Sequence, residues 1–296
     1  LKTTSYLTWA NELLKYSSGS DLAKEIPYWE QQADKSFQAC FPEAREQYKG
    51  VFGDFETVSV TLTEEQTGQL LTQVHHTYRT EINDLLLTAL VAAIRQWKGI
   101  SKTGILLEGH GREDIIEGLD ITRTVGWFTS EFPVFFELPS GDIPSCINHV
   151  KETLRAIPHK GIGYGVLKYI TEHPLPDLPA ISFNYLGQFK ADAETSSELM
   201  GEPISLLNPN SLIIDINGRV EANRLHMVFG YNTKLFTRAQ MEELQHHYHA
   251  TLLDIIHHCL TTKDTVWTPD DFTIKGLSRE ELDDIFEDFE EDEVYQ

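Results

Sequence analysis

Strand-like and helix-like patterns alternate along this chain, which predicts an α/β fold. Three observations carry the prediction. Thr57 to Leu62 alternates, with Val58, Val60 and Leu62 on one side, the period-two mark of a half-buried strand. Leu85, Leu86, Ala89, Leu90, Ala93, Ile94 and Trp97 recur at helical spacing. A second helical stripe, Met241, Leu244, Tyr248, Leu252, Ile255 and Cys259, follows two apolar runs that read as paired strands.

Residues 1–53 differ in character from the rest. Trp9, Leu13, Leu14, Tyr28 and Trp29 suggest helices that pack on something, and no strand precedes them. The strand near Thr57 opens a second region, 54–262. Thr63-Glu-Glu-Gln66 is a capping box: the Thr63 and Gln66 side chains satisfy each other's free backbone N–H groups and start a helix with Leu70, Leu71 and Val74 inward. After the helix around Leu85 to Trp97, the apolar run Gly104 to Leu107 delivers Glu108 into a glycine-flanked turn. Gly161-Ile-Gly-Tyr-Gly165 reads as a loop; it lacks the Lys-Ser/Thr of a phosphate-binding loop, and no strand leads into it. Asn217-Gly218, between Leu212–Ile216 and Val220–Tyr231, signals a two-residue hairpin because both residue types tolerate positive φ. Thr237-x-x-Gln240 caps the last helix of the region. Beyond it, Thr268-Pro269-Asp270-Asp271 breaks the order, and Ser278-x-x-Glu281 opens a short acidic helix in the segment 263–296. Its stripe is Leu282, Ile285, Phe286 and Phe289.

With 296 residues the chain has ample core for one large domain or two lobes, and 41% hydrophobic and 24% charged residues are ordinary for a globular protein. The longest apolar stretch, Leu85 to Ile94, is too short to span a bilayer, and no basic-then-apolar leader follows Leu1, so neither membrane insertion nor secretion is expected. Cys40, Cys146 and Cys259 are few, odd in number and widely spaced. That favours a reducing, cytoplasmic setting over a disulfide scaffold, and no metal site is expected. The net charge is −22, from 24 basic and 46 acidic side chains, ten of the acids lying between Glu280 and Glu293. Such a surface repels nucleic acid and anionic membranes.

Glu108-Gly-His-Gly-Arg-Glu113 is the most informative segment. A carboxylate carried by an apolar strand into a glycine turn has water on one side and hydrophobic walls on the other. That setting raises a carboxyl pKa towards the range useful for proton transfer. The two glycines would admit the close approach of a substrate arm. A glutamate at a strand end is also commonly just solvated or salt-bridged, and spacing alone leaves both readings open.

Together, Glu108-Gly-His-Gly-Arg-Glu113, Arg123-Thr-Val-Gly-Trp-Phe-Thr129 with Phe132-Pro133, Gly161-Ile-Gly-Tyr-Gly165 and Phe183-Asn-Tyr-Leu-Gly-Gln188, preceded by Asn83-Asp-Leu-Leu-Leu-Thr-Ala89, resemble the ordered motifs of epimerization domains in non-ribosomal peptide synthetases. The resemblance runs from about Leu1 to Thr262. It implies a chloramphenicol acetyltransferase-like fold, with residues 1–53 as the end of an N-terminal lobe and 54–262 as the C-terminal lobe. It also implies inversion of the Cα of an aminoacyl or peptidyl thioester held on the phosphopantetheine arm of a carrier protein, with no tightly bound cofactor.

By that resemblance Glu108 is the acid/base group on one face of the Cα. Tyr185, with Asn184, either donates to the enolate oxygen or guides the base, although a core tyrosine whose hydroxyl meets a backbone carbonyl fits the residues equally. Gly161, Gly163 and Tyr164 would let backbone pass close to the arm or to the other lobe. Trp127 and Phe128 read as core or tunnel wall, and Arg112 and Arg123 as ion-paired scaffold. The family's His-His-x-x-x-Asp-Gly motif is absent: the pairs His75-His76, His246-His247 and His257-His258 all lack Asp-Gly at that spacing. The expectation is a domain that begins downstream of that motif. The acidic segment would then dock a downstream synthetase subunit. An amide-forming condensation domain and a non-catalytic docking lobe are the competing readings.

Overall fold

The computed structural model describes residues 2–32, 41, 50–139, 141–175, 178–189, 204–262, 265, 266 and 271, and every structural statement below concerns these residues. Two helices come first, α1 (Tyr6–Tyr16) and α2 (Ser20–Gln31). A two-residue strand β1 (Gly50–Val51) leads to β2 (Phe55–Thr61), α3 (Glu64–Thr72), a single-turn α4 (His75–Tyr78) and the long α5 (Ile82–Lys98). Strands β3 (Lys102–Gly109) and β4 (Ser130–Glu137) precede α6 (Ile143–Arg155) and α7 (Ile162–Tyr169). Then come β5 (Ile181–Phe189), β6 (Pro209–Asn210), β7 (Ile214–Glu221), β8 (Arg224–Asn232) and α8 (Arg238–Thr261).

Six strands form one mixed sheet in the order β2-β8-β7-β5-β3-β4. The pairs β7–β5 and β5–β3 are parallel and the others antiparallel. β1 pairs only with β6. One face of the sheet supplies Ile105, Leu107, Phe183, Ile216 and Phe229 to a core shared with α5 and α8. α5 is buried continuously from Asp84 to Ile94, so the apolar stripe read from the sequence is the most hydrophobic side of a central helix. Both capping boxes form as expected, at Thr63/Gln66 and Thr237/Gln240. Leu70 and Val74 are buried, but α3 stops at Thr72, and Val74 packs from the turn that follows. α1 and α2 pack through Trp9 on Phe128 and through Trp29 on Tyr164 and Phe132.

Two local expectations are corrected. Asn217-Gly218 is not a turn. β7 runs through it to Glu221, and the hairpin turns at Ala222 and Asn223, whose φ values of 48° and 60° supply the same left-handed geometry. Gly218 answers to packing instead: a Cβ there would lie 2.6 Å from Met227 Sδ on the neighbouring strand. The Gly161–Gly165 segment is the start of α7 and not a loop, with Gly161 as its N-cap at φ 88°.

The helix expected from Ser278 to Phe289 lies outside the described residues. Asp271, grouped with the acidic segment in the sequence reading, is tied into the fold: its carboxylate accepts from Lys151 Nζ at 2.7 Å, and Lys151, 1% exposed, also donates to the Tyr78 carbonyl. Just before it, the Val266 N–H donates to the Thr77 carbonyl.

Candidate active site

Successive side chains on a strand point to opposite faces. On β3, Ile105 and Leu107 enter the core, so Leu106 and Glu108 take the other face. The register Leu106↔Ser182 and Leu107↔Phe183 places Asn184 beside Glu108 on that face, and Ser182↔Asp215 adds Asp215 one strand further. On the antiparallel side Glu131 of β4 stands directly opposite Glu108. Four polar side chains from four strands therefore collect on the side of the sheet that α5 and α8 do not cover.

Within this group the Asn184 Nδ2 donates to Glu108 Oε2 at 2.8 Å. Ser182 Oγ donates to Asp215 Oδ1. Partial desolvation lifts the Glu108 carboxyl above the usual glutamate range, and the negative charges of Glu131 and Asp215 push in the same direction. The carboxyl nonetheless stays exposed enough to meet a ligand. A carboxylate so placed holds a proton more readily than a fully solvated glutamate and can still give it back, with the Asn184 amide fixing its orientation.

The turn after Glu108 is built for close contact within the chain. A Cβ on Gly111, at φ 64°, would overlap the Phe128 carbonyl oxygen, and one on Gly109 would lie 2.9 Å from Ser130 Oγ. The space that these glycines keep open is filled by the protein itself and not by an arm. Arg112 extends this turn: its guanidinium donates to the carbonyls of Ile121 (2.5 Å) and Thr124 (2.9 Å) and lies 4.0 Å from the Phe128 ring centre. It pins a loop through carbonyl contacts where the sequence suggested an ion pair. Arg123 is exposed and enters no ion pair among the described residues. Phe128 is buried as expected, but Trp127 is 82% exposed beside the exposed Val125.

The candidate residues separate into three places. Glu108 and Asn184 are hydrogen-bonded partners. Tyr185, adjacent in sequence to Asn184, points to the opposite face, where its ring packs partly buried beside Gly218. Burial raises its pKa, and its hydroxyl makes no hydrogen bond among the described residues. Gly161, Gly163 and Tyr164 are all buried. A Cβ on Gly161 would meet the Phe132 ring, one on Gly163 would meet the Glu25 carboxylate, and Tyr164 stacks edge-on against Trp29 at 5.4 Å. Contacts inside the chain account for Gly161 and Gly163, whereas a Cβ on Gly165 would meet nothing within 4 Å.

Sequence reasoning missed Glu131 and Asp215. Glu131 lies between Thr129 and Phe132 of a motif that carries the resemblance, which assigns it no role; Asp215 belongs to no recognisable run, and strand register brings both to Glu108. Of the histidine pairs, His258 Nε2 lies 2.7 Å from the Tyr78 hydroxyl, His75 bonds Thr80, and His246 and His257 are exposed. Among the described residues no three of His, Cys, Asp and Glu converge as a metal site, and no helix is long and apolar enough to cross a membrane.

Comparison with known proteins places this geometry in a family. The condensation-domain family model matches residues 1–277. Surfactin synthase subunit 2 of Bacillus subtilis (strain 168) is 40% identical over 297 residues, which cover 98% of this chain and 8% of that protein. Gramicidin S synthase 1 of Brevibacillus brevis is 40% identical over 309 residues, covering 97% of this chain and 28% of that protein. The chain thus spans well under a third of either relative. Among solved structures, the epimerization domain from the third module of tyrocidine synthetase B is 37% identical, with a TM-score of 0.71 over 88% of this chain and 60% of that one. The condensation domain of a Monacolin K polyketide synthase, 11% identical with a TM-score of 0.64, shares the fold alone. With its mixed sheet backed by α5 and α8, the chain has the chloramphenicol acetyltransferase-like fold and belongs to the condensation-domain family.

Proposed function

We propose that this chain is part of an epimerization domain of a non-ribosomal peptide synthetase, inverting the Cα of an aminoacyl or peptidyl thioester. The observation that carries the reading is Glu108: a carboxylate with a raised pKa, held by Asn184 on the open polar face of the sheet. The motif resemblance and the 37% identity to a solved epimerization domain support it. The substrate would arrive on the phosphopantetheine arm of an upstream carrier protein in the cytoplasm, with no tightly bound cofactor. The acidic segment 263–296 would dock a downstream synthetase subunit.

An α-proton beside a thioester is weakly acidic, so a base within hydrogen-bond reach must remove it while the enolate is stabilised. In this reading Glu108 takes the proton from one face of the carbon. Asn184 holds the carboxylate and, once Glu108 is protonated, still bonds its carbonyl oxygen. The proton that completes inversion arrives on the other face.

The test is solvent deuterium exchange at Cα, with chiral analysis of the released acyl group, in synthetase protein carrying this domain and its loaded carrier. Glu108→Gln should lower both exchange and inversion by about 10²- to 10⁴-fold. Undiminished exchange would make Glu108 structural, and amide formation without exchange would identify a condensation domain.

A further inference from the structure

A second carboxylate of this chain is built into the protein with unusual care. Glu25 on α2 is 3% exposed, and its oxygens accept from Trp29 Nε1 at 3.0 Å and from the Tyr16 hydroxyl at 3.1 Å. His159 Nδ1 lies 2.8 Å from Glu25 Oε1, 134 residues away in sequence. Gly163 leaves the room this carboxylate needs, since a Cβ there would sit 1.9 Å from Glu25 Oε2.

His159 begins a run of three left-handed residues, with φ 43° at His159, 50° at Lys160 and 88° at Gly161. Left-handed backbone at two consecutive non-glycine residues is strained and persists only where surrounding contacts enforce it. The run is wedged beneath the ends of β3 and β4. The Lys160 carbonyl oxygen comes within 3.3 Å of where a Gly109 Cβ would be, and a Gly161 Cβ would overlap the Phe132 ring. Gly109 follows Glu108, and Phe132 follows Glu131. The wedge supports one side of the sheet at the point where both glutamates leave the other.

From this geometry we infer that Glu25 and His159 are positioning residues for Glu108: the half-buried hydrogen bond between them holds the left-handed run against Gly109 and Phe132, and so fixes the backbone that aims the base. This rests on the acid/base reading of Glu108. Misplacing a reacting group by about 1 Å can cost about 100-fold in rate, so loss of the clamp belongs in kcat.

The variants are His159→Ala, whose half-exposed side chain leaves folding intact, and Glu25→Gln, which keeps the shape at α2. Cα exchange is measured in synthetase protein carrying this domain, with amide hydrogen exchange of residues 104–112 and 156–166 followed in the same proteins. The expected result is a fall in kcat of about 10- to 100-fold with KM unchanged, together with faster amide exchange in both segments. In the double variant with Glu108→Gln, the loss should not exceed that of Glu108→Gln alone. Unchanged kcat in His159→Ala, a rise in KM alone, or fully additive losses would each overturn the inference. The proposed base itself fails separately, if Glu108→Gln in the parent background leaves exchange intact.

Discussion

In the proposed reaction Glu108 is the base, and its surroundings set its titration. Its folded-state pKa lies above the ordinary value because of desolvation first and the Glu131 and Asp215 charges next. As a base it acts only when ionised, so the exchange rate should rise with pH through an inflection above the usual glutamate range. Glu131→Gln removes one repelling charge and should move that inflection to lower pH, which a pH–rate profile of Cα exchange would register. Removing a positioned general base commonly costs about 10²- to 10⁴-fold, and Glu108→Gln is expected to fall in that range. The same shift bears on stability. A carboxyl whose pKa is raised on folding stabilises the folded state fully below the unfolded pKa, and that contribution is lost as pH rises through the folded pKa. Glu108→Gln, which stays neutral, should therefore raise Tm at pH 7 and change it little in acid. A lower Tm at pH 7 would show that the carboxylate is net stabilising there. Tyr185→Phe should cost far less activity than Glu108→Gln, because the phenol sits on the opposite face. An equal loss would give Tyr185 a primary role and overturn the strand-face assignment.

Among the elements, the well-read ones are those whose signal is local. Both capping boxes and the stripes of α5 and α8 are set by contacts within a few residues, and they appear as expected. The misread ones are decided by partners distant in sequence. Asn217-Gly218 has the right chemistry for a turn, yet Met227 requires Gly218 in the strand, and the chain turns five residues later. The glycines at 161 and 163 look like loop residues, but they are small because Phe132 and Glu25 occupy the space. Nothing around Asp271 in the sequence reveals its contact with Lys151 either. Asp271→Asn should be strongly destabilising: stripping one partner from a buried ion pair costs about 3–5 kcal/mol, because the other charge stays desolvated. Chemical denaturation of the 296-residue chain measures this, and a change within about 0.5 kcal/mol, as for ordinary surface substitutions, would show that the clasp is not part of the cooperative fold.

At the scale of the whole molecule, the sheet explains why the candidate site was half legible. Glu108 and Asn184 stand in runs whose order along the chain carries the resemblance, so they could be named. Glu131 and Asp215 reach the site only through the register of four strands, which no local pattern encodes. The separation of Tyr185 from Asn184 likewise needs the strand itself, because alternation sends neighbours in sequence to opposite faces. This arrangement constrains what 296 residues can do. In the proposed reaction Glu108 would approach the substrate carbon from one side of the sheet, and a carboxylate that removes a proton and returns it from the same side restores the starting configuration. Inversion needs a second donor on the other face, and the His-His-x-x-x-Asp-Gly motif that the resemblance assigns to it occurs nowhere among these residues. A polypeptide of residues 1–296 alone, given a loaded carrier protein in deuterated water, should therefore exchange the Cα proton while leaving its configuration unchanged. Chiral analysis of the hydrolysed acyl group, with its deuterium content measured in parallel, separates the two events. Appreciable D-isomer would mean that a second acid/base group within this chain reaches the carbon from the side opposite to Glu108, and the one-sided assignment would be wrong.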